Sequence, residues 1–265
     1  MTWMHGITSA GVPYTARAAT RADAPIVVGW HLLDPPSTPA GMAAALPLDG
    51  LDAHVIYLGL PLSGERAPHP DFESLLTSGI DMVTDYFGPM HEQALAELPS
   101  ALAELRGALG ASDDSALAVL GGSAGASVAA EVFATHGRSH GIDACVLLNP
   151  MLQLRPMIDA MAEFLPSPYE WSPAADAVAA RMDFVARAPE LAHDHLLIVE
   201  GSDDEPHFVA AVRELERLGI GEVRFVDGVA HPLAAWPEDA ETERTEGAKS
   251  YDRIAAEWIA EATVA

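Results

Sequence analysis

A single cysteine stands among the 265 residues, so no internal disulfide framework can hold this chain together. Cys145 lies in the apolar run Cys145-Val146-Leu147-Leu148, where it reads as a small hydrophobe in a buried strand. Positive charge is scarce as well: 14 Lys and Arg face 39 Asp and Glu, for a formal net charge of −25. That balance argues against nucleic acid and anionic membrane as partners and predicts a solvated, self-repelling surface. Apolar runs stay well short of the ~18 residues a bilayer-spanning helix needs. The opening Met1-Thr2-Trp3-Met4-His5 carries no basic segment followed by a long apolar stretch, so the expectation is a soluble cytoplasmic protein. Internal repeats, low-complexity tracts and Gly/Ser-rich linkers are missing too, which leaves one domain over residues 1–265 as the simplest organisation.

Against these absences stands a hydrophobic content of 49%, ample for a large core. Apolar runs alternate with helix-like segments from residue 25 onward, the rhythm of an α/β protein with a mostly parallel central sheet flanked by helices. Strands are predicted at 25–30 (PIVVGW), 53–58 (AHVIYL), 116–120 (ALAVL), 144–148 (ACVLL), 196–200 (LLIVE) and 222–226 (EVRFV). Several are continuous apolar runs, as strands buried on both faces are. Leu95, Leu98, Leu102, Leu105 and Leu109 form one helical stripe, interrupted by Pro99, which predicts a kink or a new helix there. Pro206, Phe208, Val212 and Leu215 read as a helix ended by Gly219, and Ile254, Trp258, Ile259 and Ala262 as the inner face of a last helix. The stretch 151–189 breaks the rhythm with five prolines and short helical pieces such as 174–188, and reads as an insertion above the sheet.

The residues with chemical promise begin at Leu120-Gly121-Gly122-Ser123-Ala124-Gly125-Ala126, a G-x-S-x-G pattern between an apolar strand and a helix-compatible segment. A serine at such a turn is held above the sheet edge, and Gly121 and Gly125 are small because neighbouring backbone comes close. The helix that follows turns its N-terminus toward the site, favouring negative charge on a reacting oxygen. A hydroxyl is a weak nucleophile at neutral pH and needs an imidazole oriented by a carboxylate. Downstream, Gly201-Ser202-Asp203-Asp204-Glu205-Pro206 follows one strand and Asp227-Gly228-Val229-Ala230-His231-Pro232 another, both at C-terminal strand ends where open parallel sheets place their sites. The order Ser123, Asp204, His231 is that of nucleophile, acid and base. At least one of Asp203 and Asp204 is expected to serve the turn and the start of the next helix instead.

With these motifs the sequence resembles the α/β-hydrolase superfamily over nearly its whole length, from about residue 10. The resemblance implies a Gly-x-x-Asp turn at Gly201 to Asp204, favouring Asp204 as the acid with Asp203 a close rival and Glu205 a distant one. It implies His231 as the base, and an oxyanion hole from the backbone N–H of Ala124 together with a donor in Trp30-His31-Leu32-Leu33-Asp34-Pro35-Pro36. The common family version reads His-Gly before that donor. Here Leu32 replaces the glycine, leaving Leu32 or Leu33, with Leu33 favoured by position. His31 and Leu32 are counted among the substrate-side residues, His31 as a support of the loop. The insertion at about 151–189 corresponds to the family's cap, where Met157, Met161, Phe164, Tyr169 and Trp171 are candidates either to line an acyl pocket or to pack the cap on the sheet.

The expected function is a serine hydrolase cleaving a small carboxylic ester through an acyl-enzyme. Thioesterase, amidase, peptidase and acyltransferase activity are alternatives on the same three residues, and a ligand-sensing module without catalysis is the rival from another class. No cofactor and no metal is expected. His193 and His195 flank Asp194 without a third convincing ligand and read as turn residues. The expected partner is a small acyl substrate, and a homo-oligomer is compatible with the sequence.

Overall fold

The computed structural model of the protein describes residues 2–69, 74–136, 141–161, 168–235 and 244–263, and the backbone at 72 and 73. Among these residues eight strands form one sheet: β1 (Met4–Ile7), β2 (Pro13–Arg17), β3 (Ile26–Trp30), β4 (His54–Leu58), β5 (Leu117–Gly122), β6 (Ile142–Leu148), β7 (Leu196–Gly201) and β8 (Glu222–Val226). Their spatial order is β1-β2-β4-β3-β5-β6-β7-β8. β2 pairs antiparallel with β1 and β4, and every other pair is parallel. The six strands expected from apolar runs are β3 to β8. Sequence reading missed β1 and β2, because β1 is an edge strand with mostly exposed residues and β2 (Pro-Tyr-Thr-Ala-Arg) is no apolar run. Both are ordered by pairing, not by pattern.

Eight α-helices are described: α1 (Pro39–Ala45), α2 (Phe72–Thr77), α3 (Gly88–Leu109), α4 (Ala124–His136), α5 (Leu154–Ala160), α6 (Pro173–Arg181), α7 (Pro206–Leu218) and α8 (Glu246–Thr263). The leucine stripe lies on α3, which runs through Pro99 without a new helix beginning there. An interior proline costs about 3 kcal/mol. Burial of Ala94, Ala101, Leu105 and Leu109 on the same helix offsets it. α7 has Pro206 in its first turn and ends at Gly219 in the left-handed conformation, as the sequence predicts. α6 stops at Arg181, short of the helical piece expected to reach residue 188, and the chain then runs through turns to a 3-10 turn at Ala188–Glu190. No described helix is long and apolar enough to cross a membrane.

Period-2 alternation along the inner strands sorts their side chains into two cores. Val28, Ile56, Val119, Cys145 and Ile198 belong to one, with α3, α4, α5 and α7. Val27, Val55, Leu120, Val146 and Val199 belong to the other, with α1 and α8. Cys145 is fully buried, and burial raises its thiol pKa well above the ordinary value, so it is the core hydrophobe the sequence predicts. Since β3 sits between β4 and β5, the chain steps to one side of β3 and then to the other. That reversal falls at the C-terminal ends of β3 and β5, the place where sheets of this type hold their sites.

At the other end of the sheet Arg17, 1% exposed, closes β2. Its guanidinium donates to the carbonyls of Pro47, Leu48, Leu51 and Ala53, gathering the loop between α1 and β4. Arg17→Leu leaves several buried carbonyls without a donor and is expected to destabilise the fold by about 3 kcal/mol. The check is the shift in the urea denaturation midpoint.

Candidate active site

β5 ends at Gly122 and α4 begins at Ala124, so the chain turns from strand to helix on Ser123 alone, at φ +48°. A non-glycine residue there is strained by roughly 1–3 kcal/mol and needs its surroundings to hold it. The Ser123 N–H donates to Leu148 O at 3.0 Å, and its carbonyl accepts from the N–H groups of Ala126, Ser127 and Met151. The flanking glycines permit the turn by close approach. A Cβ on Gly121 would lie 2.2 Å from Gly125 O, and one on Gly125 would lie 2.5 Å from His31 O and 2.6 Å from Trp30 O. The sequence motif and the backbone geometry thus have one cause, the crowding of β3, β5 and α4.

The loops after β7 and β8 bring a carboxylate and an imidazole to the same point. His231 Nε2 lies 2.8 Å from Ser123 Oγ, and His231 Nδ1 lies 2.9 Å from each oxygen of Asp204. With Nδ1–H donating to the carboxylate, Nε2 is left to accept from the serine hydroxyl. Asp203 is exposed and accepts from Ser202 Oγ at 3.0 Å, and Glu205 stands 3.7 Å from His231 Nδ1, so Asp204 is the carboxylate in hydrogen-bond contact. The Phe208 ring stacks on the imidazole at 4.4 Å and 13°, fixing its plane. Burial disfavours the His231 cation, but the Asp204 hydrogen bond and the charges of Asp204, Glu205 and Asp34 outweigh it and hold the pKa above the ordinary histidine value. Burial likewise opposes the Asp204 anion. The hydrogen bond from His231 and those from the Glu205 side prevail, keeping Asp204 below the usual carboxylate range.

Asn149 escaped the sequence reading and holds the site together. Fully buried at the end of β6, with φ +41°, it donates from Nδ2 to the carbonyls of Ala230 (3.0 Å) and His231 (2.9 Å). Its Oδ1 accepts from Gly201 N (2.9 Å) and Tyr251 Oη (2.6 Å). One amide therefore spans β6, the turn before Asp204, the His231 loop and α8. The signal in the sequence was slight: an amide residue before Pro150, closing the apolar strand.

The structure turns His31 and Leu32, counted among the substrate-side residues, into the protein. His31 is fully buried, its Nδ1 2.6 Å from Leu32 O, while the Leu60 N–H donates to Nε2 at 3.0 Å. Both ring nitrogens are engaged by backbone, and burial pushes the pKa down to about 4. It is a neutral brace for the loop after β3. Leu32 is also fully buried, with its Cδ1 over Gly122, 2.2 Å from where a Cβ would stand there. Its N–H is spent on Pro36 O at 3.1 Å. No described residue accepts from the Leu33 N–H, and that of Ala124, at the start of α4, has no intrahelical partner. Pro35 O accepts from Leu233 and Ala234 N–H, tying this loop to the segment beyond His231.

No protein-family model matches the chain, and no curated protein matches it by sequence. Solved structures match it in shape. TT1662 of Thermus thermophilus aligns over 100% of both chains at a TM-score of 0.64 and 17% identity. Carboxyl esterase 2 of the mycorrhizal fungus Tuber melanosporum aligns over 99% of this chain and 88% of its own, at 0.59 and 18%. A soluble variant of monoglyceride lipase of Saccharomyces cerevisiae covers 99% and 95%, at 0.59 and 11%. The fold is the α/β-hydrolase fold.

In this α/β-hydrolase fold the segment 151–189 leaves β6 beside the serine turn and returns toward β7, carrying α5, α6 and an isolated bridge between Gln153 and Asp183. Met157 is buried in the first core, and Met161 and Tyr169 are half-buried against it. The Trp171 ring carries the Arg155 guanidinium at 3.7 Å, meets Tyr169 edge-on and donates from Nε1 to Asp159. Phe164 lies outside the described residues. Asp204, Glu205 and His231 bring ligand-type atoms within 4.8 Å of one another, but the Nδ1 an ion would need is the atom that donates to Asp204. His193 and His195 join no such group among the described residues.

Asn149→Leu keeps the volume and removes four hydrogen bonds. It is expected to cost about 3 kcal/mol and to lower Tm by roughly 6–12 °C, as read by thermal denaturation.

Proposed function

We propose that this protein is a serine hydrolase acting on a small carboxylic ester. The observation that carries the reading is the hydrogen-bonded chain from Asp204 through His231 to Ser123 Oγ, set at the strand ends where the strand order reverses. The likeness in fold to a carboxyl esterase and a monoglyceride lipase supports an ester as substrate.

Ser123 Oγ attacks the ester carbonyl as His231 Nε2 takes its proton, and Asp204 stabilises the imidazolium and holds it in the productive orientation. The oxyanion that forms is stabilised by the N–H groups of Ala124 and Leu33, the first aided by the start of α4. Collapse of the tetrahedral intermediate expels the alcohol with the proton from His231. Water then attacks the acyl-enzyme, with His231 as base again. No step calls for a cofactor. In this reading the segment 151–189 is a cap, and Met157, Met161 and Trp171 contribute an apolar wall suited to a short acyl chain more than to a sugar.

Initial rates on p-nitrophenyl esters from acetate to decanoate test the proposal. Ser123→Ala and His231→Ala are expected to lose about 10⁴-fold or more in kcat, Asp204→Asn about as much through the wrong tautomer, and Asp203→Ala to stay close to wild type. A fluorophosphonate probe should label wild type and neither Ser123→Ala nor His231→Ala. Folded wild type that neither turns over these esters nor takes the label would favour a ligand-sensing module.

The pH dependence has a definite sign. His231 must be neutral to accept the proton, and its raised pKa means the base is lost on acidification earlier than in an ordinary histidine. The acid limb of kcat/KM is therefore expected to have its midpoint above about 6.5, with Asp204 ionised throughout. A midpoint at or below that value would contradict the assigned environment.

A further inference from the structure

Glu200 ends the apolar run of β7 four residues before Asp204, and its side chain is 0% exposed. Among the described residues no donor reaches either of its carboxyl oxygens. The polar group that acts on it is the nearby Asp204 carboxylate, through its charge and hydrogen bonding. Two carboxyl groups can bond only through a proton that one of them holds. Asp204 is the better-supported anion, since it already accepts from His231 Nδ1 and from the Glu205 N–H at 2.6 Å. The shared proton therefore belongs to Glu200.

We propose that Glu200 is a neutral carboxylic acid that donates a hydrogen bond to Asp204, making it a positioning residue that orients the acid and moderates the basicity of His231. The inference rests on the serine-hydrolase reading of this site. Burial, followed by the charge and hydrogen bond of Asp204, pushes the Glu200 carboxyl up to about 10. The same neighbourhood holds Glu205, pushed up to about 7 by burial and by Asp204, and from α8 the Tyr251 phenol, which burial, aided by the charge of Asp204, keeps protonated. His207 on α7, lowered chiefly by burial, and Asp34 from the loop after β3 complete the titratable groups around His231. None of these is a cation at neutral pH that could hold Glu200 ionised.

The donor fixes the direction of the effect. A hydrogen bond into Asp204 spreads its charge and weakens its hold on the His231 proton, so removing the donor raises the pKa of His231. If Glu200 were ionised, replacing it by an amide would remove a negative charge and lower that pKa. Glu200→Leu and Glu200→Gln therefore separate the possibilities.

On an ester that wild type hydrolyses, Glu200→Leu is expected to lower kcat about 10-fold and move the acid limb of kcat/KM up by roughly half a unit or more. Glu200→Gln, which retains an N–H donor without a charge, should restore both. An acid limb displaced downward in Glu200→Gln, or a folded Glu200→Leu indistinguishable from wild type, would overturn the proposal. A readout independent of turnover is the infrared C=O band of a protonated buried carboxyl, recorded near neutral pH in the Ser123→Ala background. It should be present with Glu200 and vanish in Glu200→Gln, and its absence with Glu200 in place also overturns the proposal. If Glu200→Leu does not fold, the Gln variant and the infrared band decide alone. Loss of the serine-hydrolase reading would look different: wild type inert toward esters and probe, with the infrared band unaffected.

Discussion

The chain must reverse from strand to helix on one residue, and the site depends on that constraint. With β3, β5 and α4 packed so closely that a methyl group on Gly121 or Gly125 would overlap backbone, Ser123 is forced to φ +48°. It is held there by bonds to β6 on one side and to its own helix on the other. The strain is local and the restraint is spread over three elements. Such a residue keeps a fixed direction because the alternative backbone states are blocked, and this pre-organisation is what a nucleophile needs when reacting atoms must meet within a few tenths of an ångström.

The second half of the site lies 81 to 108 residues further along the chain, and the structure meets that separation with polar bonds rather than apolar packing. Asn149 is in place next to the serine turn because Leu148 accepts the Ser123 N–H. Through the nitrogen and oxygen of its amide it sets the start of the Asp204 turn and the backbone of His231. Its remaining acceptor position is filled by Tyr251, so α8 is coupled to the site although it touches none of the proposed reacting atoms. A fully satisfied buried network of this kind specifies one arrangement, since any shift leaves a donor or acceptor alone in a dry interior. The loop after β3 is fastened in the same way, through His31 on the inside and Pro35 on the outside.

What was legible in the sequence follows from these physical origins. β3 to β7 announce themselves because strands buried on both faces are apolar throughout, β8 by its alternating Val223, Phe225 pattern at the other edge, and the serine turn because only glycine fits beside crowded backbone. The positions of Asp204 and His231 follow from strand ends. β1 and β2 gave no such signal, being stabilised by partners distant in sequence. Residue type and nearness to the site say nothing about which way a side chain turns, and here both His31 and Leu32 turn into the protein, His31 as the support of its loop. Asn149 and Glu200 were invisible because an isolated polar residue at the end of a strand looks the same whether its partners are water or a buried network.

The electrostatics of the site are set locally, despite the large net charge. A chain of −25 carries a negative field at its surface, but charges more than about 10 Å away in solvent are screened at ordinary ionic strength. The Asp204 oxygens lie 2.9 Å from Nδ1 on a side chain with 0% exposure, and there screening is weak. The raised pKa of His231 therefore reflects a few contacts, and it holds at salt concentrations that would erase a surface field. The acidic surface has a different consequence: within a screening length of about 10 Å it disfavours anionic ligands approaching the site while leaving neutral ones unaffected.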